Sequence, residues 1–256
     1  MHQKEYISYL LSLPNYGRKK VIESLQYSNL YDEQKVVGYS KYLLPKNISV
    51  VDLTDIEYPP LLKQIYDPPL QLFCKGDISL LKGRCITMVG TRSMTSYGKW
   101  CVEYLLKGLV GRDIVVVSGL ARGIDGHIHR KCMEYGIKTV GVVAGGIDKG
   151  YPKSNQDIYD RMDLVISEYP PGREVVKGMF PLRNRILAGM SDLVVVIESF
   201  NSGGSMITAQ VALEYGRAIA CIPTNINKLT SQDCNLLISE GAYLIKGPQD
   251  LLNLIE

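Results

Sequence analysis

The sequence predicts a doubly wound α/β fold with a mainly parallel sheet, preceded by a small all-α segment. Three observations carry this prediction. From Arg84 onward, short β-branched runs alternate with single helical stretches. The runs end in turns rich in glycine and small hydroxyl residues. The first 44 residues keep helical apolar spacing. Strands separated by single helices pair in parallel, because the crossover must return the chain to the same end, and the hand of that crossover is nearly fixed.

Residues 4–44 read as helices. Ile7, Leu10 and Leu11, then Val21, Ile22 and Leu25, hold the helical period, broken by Pro14 and Gly17. The stretch from Leu13 through Pro14 and Gly17 to Val21, with Arg18, Lys19 and Lys20, has the shape of a helix-hairpin-helix turn. Such a turn can present N–H groups and cations to a nucleic-acid phosphate, and a plain interhelix turn has the same pattern. Residues 1–55 carry seven Lys/Arg against six Asp/Glu, so charge does not single out the binding role. Residues 48–53 are short, β-branched and extended. Pro59, Pro60, Pro68 and Pro69 cannot lie in helix interior and form an ordered connector. It leads to a strand and turn at residues 71–76. The domain boundary is placed near residue 55, giving a helical part at 1–55 and an α/β part at 56–256.

Within the α/β part, strands are expected at residues 85–89, 113–117, 139–144, 163–166, 193–197 and 218–222, with another at 242–245. Helices are expected at 96–110, from Gly123 to about 135, from Arg183 to 189, and at 206–215. In a parallel sheet every strand ends on the same edge, so the turns after residues 89, 117, 144 and 197 share one rim. All four contain glycine, and Thr91, Ser118, Ser202 and Ser205 add small hydroxyls. A single turn such as Ser118-Gly119-Leu120-Ala121-Arg122-Gly123 fits a tight strand-to-helix connection as well as an anion site. Four on one rim favour an anion-binding ledge of backbone N–H groups and helix N-termini. Arg92, Arg122, Lys153, Arg183 and Arg185 fall near this rim, and guanidinium groups suit phosphates. At least one or two of these five cations are expected to hold surface salt bridges instead.

Net charge is +3, with 46% hydrophobic and 21% charged residues, an ordinary balance for a globular protein. No stretch reaches membrane-spanning length, and the N-terminus lacks the apolar run of a signal peptide. Cys74, Cys85, Cys101, Cys132, Cys221 and Cys234 form no Cys-x-x-Cys pair and read as reduced core residues of a cytoplasmic protein. Gly90-Thr91-Arg92-Ser93 is not the dinucleotide fingerprint, no acid stands at the end of the next strand to hold a ribose, and no Walker loop is present. His127 and His129, two apart on a helix, point apart and predict no metal site; His129 is expected to be structural. Asp125, Asp148, Glu168 and Glu198 are expected to pin arginines or cap helices rather than act as acid–base pairs.

The motifs resemble the DprA/Smf DNA-processing family. The matching stretches include Tyr58-Pro59-Pro60-Leu61-Leu62 with Asp67-Pro68-Pro69, Val89-Gly90-Thr91-Arg92, and Val117 through Asp125 with His129. They continue with Tyr151-Pro152 and Asn155, Ser167 through Gly172, Phe180-Pro181 with Arg183-Asn184-Arg185-Ile186, and Ser202-Gly203-Gly204-Ser205. The resemblance covers roughly residues 58–256, and less specifically the N-terminus, which resembles the family's sterile-alpha-motif-like domain. It implies an extended Rossmann-like fold and a non-enzymatic, cofactor-free protein. Such a protein binds and protects incoming single-stranded DNA, forms a homodimer, and loads the RecA recombinase during natural transformation. The implied DNA-binding set is Gly90, Thr91, Arg92, Ser118, Gly119, Arg122, Lys153, Asn155, Arg183, Arg185, Gly203, Gly204 and Ser205, with no metal. Tyr97 and Tyr151 are candidates to stack on a base. The implied dimer contact lies in residues 235–254, with Leu236, Leu237, Ile238 and Leu244. With the chain ending at Glu256, the form without the winged-helix domain of some members is expected. The alternative is a nucleotide-binding Rossmann enzyme related to lysine-decarboxylase-like phosphoribohydrolases. Against it, Asn201-Ser202-Gly203-Gly204-Ser205-Met206 stands where those enzymes carry Pro-Gly-Gly-x-Gly-Thr. A third reading is a protein that binds RecA but no DNA.

Overall fold

The computed structural model describes residues 3–13, 18–27, 44–200, 203–227 and 232–255. Two short helices come first, α1 (Gln3–Ser12) and α2 (Arg18–Tyr27). The middle of the expected helix-hairpin-helix turn, residues 14–17, lies outside the described residues, as do Asn201 and Ser202. Then follow β1 (Ser49–Asp52), the single helical turn α3 (Pro60–Lys63) and β2 (Gln71–Gly76). Strict alternation takes over with β3 (Cys85–Val89), α4 (Ser96–Lys107), β4 (Val115–Ser118), α5 (Ile124–Tyr135) and β5 (Thr139–Val142). The chain continues through α6 (Gln156–Arg161), β6 (Leu164–Ser167), α7 (Met179–Gly189), β7 (Leu193–Val196), α8 (Gly204–Glu214) and β8 (Ala218–Cys221). It ends in α9 (Gln232–Ser239), β9 (Tyr243–Leu244) and α10 (Pro248–Ile255).

The nine strands form one sheet in the order β1-β2-β6-β5-β4-β3-β7-β8-β9. All pairings from β6 through β9 are parallel, so the α/β expectation holds. β2 pairs antiparallel with both β1 and β6. β1 lies on the N-terminal side of the boundary expected near residue 55, yet it hydrogen-bonds along β2 as part of the sheet. From β3 the chain winds outward through β4, β5 and β6, then returns to lay β7 against the other side of β3. That reversal is the topological switch point, where doubly wound sheets open a crevice at the strand ends.

The central strands are buried on both faces, which explains their unbroken β-branched runs. On one face Ile86, Met88, Val116 and Val195 pack under α4, α5 and α10. On the other, Val89, Val117, Val142 and Val194 pack under α7 and α8. Tyr6, Leu10 and Val21 of the N-terminal helices share a cluster with Phe73 and Val165 of the sheet. All six cysteines are buried and free, as the sequence predicts.

Most element ends shift by one to three residues, and two of the differences bear on the site. β4 includes Ser118, which is therefore a buried strand residue and not part of the open turn; its Oγ donates to the Met88 carbonyl at 2.7 Å. α7 starts at Met179, four residues before Arg183, because Pro181 sits in its first turn, where no intrahelical N–H is needed.

His129 is buried and structural, its Nδ1 2.8 Å from Thr139 Oγ1, while His127 pairs with Glu103 at 3.0 Å. Burial pushes the His129 pKa from 6.5 down to about 3. The folded state thus binds fewer protons than the unfolded state between these values. This contribution to stability is intact above pH 6.5 and is lost as the pH falls from there toward about 3. Urea denaturation followed from about pH 7 to about pH 4 is expected to show that decline, at up to ~1.4 kcal/mol per pH unit, and the decline is expected to be shallower in His129→Gln. Leu105, fully buried between α4 and the sheet, tests the packing. Leu105→Ala is expected to lower the unfolding free energy by ~2–5 kcal/mol in the same assay.

Candidate functional site

At the switch point the carboxyl ends of β3 and β7 border a cleft of about 1040 Å³. One wall is the turn Gly90–Thr91–Arg92–Ser93, with Ala121 and Asp125 behind it. The facing wall is Gly203–Gly204–Ser205 at the start of α8. Tyr151, Lys177, Phe180 and Asn184 line its remaining sides.

The β3 turn is fixed by backbone contacts. Thr91 N–H donates to the Glu198 carbonyl at 2.8 Å, and Ile124 N–H donates to the Thr91 carbonyl at 3.1 Å. Gly90 N–H donates to Asp125 Oδ1 at 3.3 Å. A side chain at Gly90 would run into Ile124, with 2.6 Å to its nearest atom, so α5 can dock against the turn only if this residue is glycine. Thr95 caps α4 by accepting from Gly98 N–H at 3.1 Å. It donates from its own N–H and Oγ1 to the two oxygens of Glu198, at 3.0 and 2.6 Å. Held at both ends, the turn projects Arg92 into solvent, its guanidinium 5.2 Å from the centre of the Phe180 ring. The Tyr151 ring lies 5.6 Å from Phe180 on the same wall.

On the facing wall α8 begins at Gly204 with no side-chain cap, and Gly203 is its extended N-cap residue. Asn184 Nδ2 donates to the Gly204 carbonyl at 3.2 Å. Ser205 lines the cleft but its hydroxyl is engaged: its Oγ donates to Ser199 Oγ at 2.8 Å, and Ser199 donates to Asp233.

The structure thus brings Gly90, Thr91, Arg92, Gly203 and Gly204 together with the buried Arg183 and Ser205 along the cleft, and lays Arg122 and Lys153 on the exposed surface. Several of the predicted polar groups point inward. Arg183 is buried and donates through Nη1 to the carbonyls of Gly119 and Val142. Its guanidinium occupies the space that a side chain at Gly119 would need, and the Asp125 carboxylate borders the same space. Burial pulls the Arg183 pKa down to about 10, opposed by Asp125, and burial raises the carboxyl of Asp125 in turn, opposed by Arg183. Arg185 is buried between Asp67, at 3.0 Å, and Glu168. Asn155 Nδ2 donates to the carbonyls of Leu120 and Ala121, at 3.0 and 2.9 Å, fixing the backbone where Leu120 has φ 56°. Ser118 and Gly119 are buried under these contacts.

The acids behave as expected of pins and caps. Asp125, Glu168 and Glu198 are buried with partners, and Asp148 accepts from Gly172 N–H at 2.8 Å. Asp148 is exposed, but among the described residues that line the cleft the one carboxylate, Asp125, is buried, while Arg92, Arg122, Lys153 and Lys177 are exposed. Sequence reasoning missed Lys177 and the Phe180 platform. Phe180-Pro181 was visible as a motif, but its role depends on the early start of α7. Among the described residues, no group of three or more His, Cys, Asp or Glu is placed to hold a metal, and no helix is long and apolar enough to cross a membrane.

Gly123 provides a local test. It has φ 75°, and a Cβ there would lie 2.4 Å from the Thr91 carbonyl oxygen. Gly123→Ala is expected to destabilise the protein by ~1–3 kcal/mol, read as a lowered Tm.

With this geometry described, comparison with known proteins gives a consistent picture. The family model described as DNA recombination-mediator protein A matches residues 49–256. The chain is similar to the DNA processing protein DprA of Bacillus subtilis, 41% identical over 210 residues, which is 80% of this chain and 71% of the relative. It superposes on the X-ray structure of DprA from Streptococcus pneumoniae with a TM-score of 0.87 at 33% identity, covering 100% of this chain and 99% of the other. A DprA structure from Helicobacter pylori, described for its single-stranded DNA binding mode, matches with a TM-score of 0.72 at 28% identity over 81% of this chain and 95% of its own.

Proposed function

The chain belongs to the DNA recombination-mediator protein A family, the DprA/Smf DNA-processing proteins, and from that premise we propose that it binds single-stranded DNA across the switch-point cleft. The observation that carries this reading is the separation of charge. Among the described residues that line the cleft, the one carboxylate, Asp125, is buried and paired, while Arg92 and Lys177 on its lining and Arg122 and Lys153 beside it stand exposed. Such a surface contacts phosphate and sugar and reads no base edges, so binding is largely sequence-independent.

Further parts of the proposal rest on family membership. The protein acts in the cytoplasm, protects incoming DNA and passes it to RecA during transformation, without chemistry of its own. It works as a homodimer. The exposed edge strand β9 and its surroundings support this last point: Leu236, Tyr243 and Leu244 are exposed, while Leu237 belongs to the core.

Arg92 is the residue whose loss should matter most, because it is exposed, preorganised and central to the cleft. Arg92→Ala is expected to weaken oligothymidylate binding by about 10-fold or more in filter-binding titrations. It should also reduce the log–log salt slope by about 0.7, the loss of one phosphate contact on a single strand. Unchanged affinity and slope would argue against the cleft as the DNA site.

A further inference from the structure

Helix α4 carries three exposed aromatic rings in a row. Tyr97, Trp100 and Tyr104 are 38, 56 and 40% exposed. Their rings are nearly parallel: Tyr97 and Trp100 are 6.4 Å apart at 18°, and Trp100 and Tyr104 are 4.8 Å apart at 19°. The core contacts of α4 come from its other side, through Cys101, Val102, Leu105 and Leu106. Packing of the sheet therefore does not require this ladder, and leaving three large rings in water is costly unless something covers them.

The position of the ladder identifies its occupant. α4 follows directly from the turn that bears Arg92, with only Ser93, Met94 and the Thr95 cap between them. Tyr97 lies on the same rim, because its hydroxyl donates to the carbonyl of Pro223, just past the end of β8, at 2.8 Å. Tyr104 lies at the far end, against Gly247. The charge around the rings is positive. Lys99 and Lys107 on α4 and Lys246 beside Gly247 are exposed, while the only acid of α4, Glu103, is held by His127 and Lys131. The rings cover one another's faces in part, and the aromatic surface left exposed, flanked by cations and continuous with the Arg92 turn, is of the kind against which the bases of a single strand pack.

We propose that single-stranded DNA leaving the cleft past Arg92 continues along α4, with its bases packed against the exposed parts of the Trp100 and Tyr104 rings. The inference rests on the reading of the cleft and extends it to a second segment of the DNA path. It makes binding length-dependent: a short oligonucleotide fills the cleft, and a longer one also reaches the ladder.

Trp100 is the only tryptophan in the chain, so its emission reports on the ladder in the unmodified protein. Oligothymidylates of about six and about twenty nucleotides, spanning the range of single-strand site sizes, serve as probes. The longer one is expected to quench Trp100 emission on binding, and the shorter one to bind with little quenching. Trp100→Leu and, separately, Tyr104→Leu are expected to weaken the longer oligonucleotide by about 10-fold while leaving the shorter within about 2-fold. Arg92→Ala should weaken both. Arg92-dependent binding of the longer strand with no change in Trp100 emission, and no loss in either ladder variant, would overturn the proposal and leave the cleft reading standing. A Trp100→Leu protein that binds DNA normally but has half the mass by light scattering would also overturn it, assigning the ladder to self-association. Failure of the native protein to bind either oligonucleotide would remove both readings.

Discussion

The buried carboxylate of Glu198 joins the two halves of the sheet at the point where the chain reverses. Its oxygens take the N–H and the hydroxyl of Thr95, and its own carbonyl takes the N–H of Thr91. The end of β7 is thereby tied to the turn after β3 and to the first turn of α4. Hydrogen bonds to a charged group contribute about 1.5–3 kcal/mol each, more than neutral ones, and here they act on backbone that would otherwise be a free loop. Arg92 is held between these anchors. A cation on such a turn loses little freedom when it meets a phosphate, so more of the contact energy appears as affinity.

The buried arginines play the complementary part. Arg183 reaches under the β4 turn to the carbonyls of Gly119 and Val142, and Arg185 sits between Asp67 and Glu168. Removing one member of such a buried set would leave an uncompensated charge, a strongly destabilising change. These residues therefore shape the rim from beneath, while the exposed cations face outward. The separation between cations that build the rim and cations that face solvent follows from burial alone.

Much of this architecture was legible in the sequence. Strand–helix alternation predicts the parallel sheet, and the shared rim follows from parallel pairing without knowledge of strand order. The adjacency of β3 and β7 was not legible, because strand order is a tertiary property. For the same reason the Gly90 and Gly203 turns could not be recognised as facing walls of one cleft. The inward turn of Arg183 and Arg185 was not legible either. An arginine beside a glycine turn suits a phosphate and a buried carbonyl equally well, and only packing decides between them. Ser118 was misplaced by a one-residue difference in the end of β4, enough to move its hydroxyl from the open turn to the Met88 carbonyl. Lys177 carried no signal at all, since an isolated lysine before a helix has no distinguishing pattern. Tyr97 was a candidate for base stacking on its own, but its alignment with Trp100 and Tyr104 depends on the helix that carries all three.

The central claim is that the β3 and α8 turns grip the DNA backbone from opposite sides of the cleft. Amide hydrogen exchange with and without a saturating oligothymidylate tests it most directly, because a bound strand covers the backbone of both turns. Slowed exchange is expected at Arg92 and at Gly203–Ser205, with little change at Gly90 and Thr91, whose N–H groups are already engaged, or in β1 and β2 at the far edge of the sheet. Protection confined to other surfaces, with these two turns unchanged while DNA is bound, would contradict it.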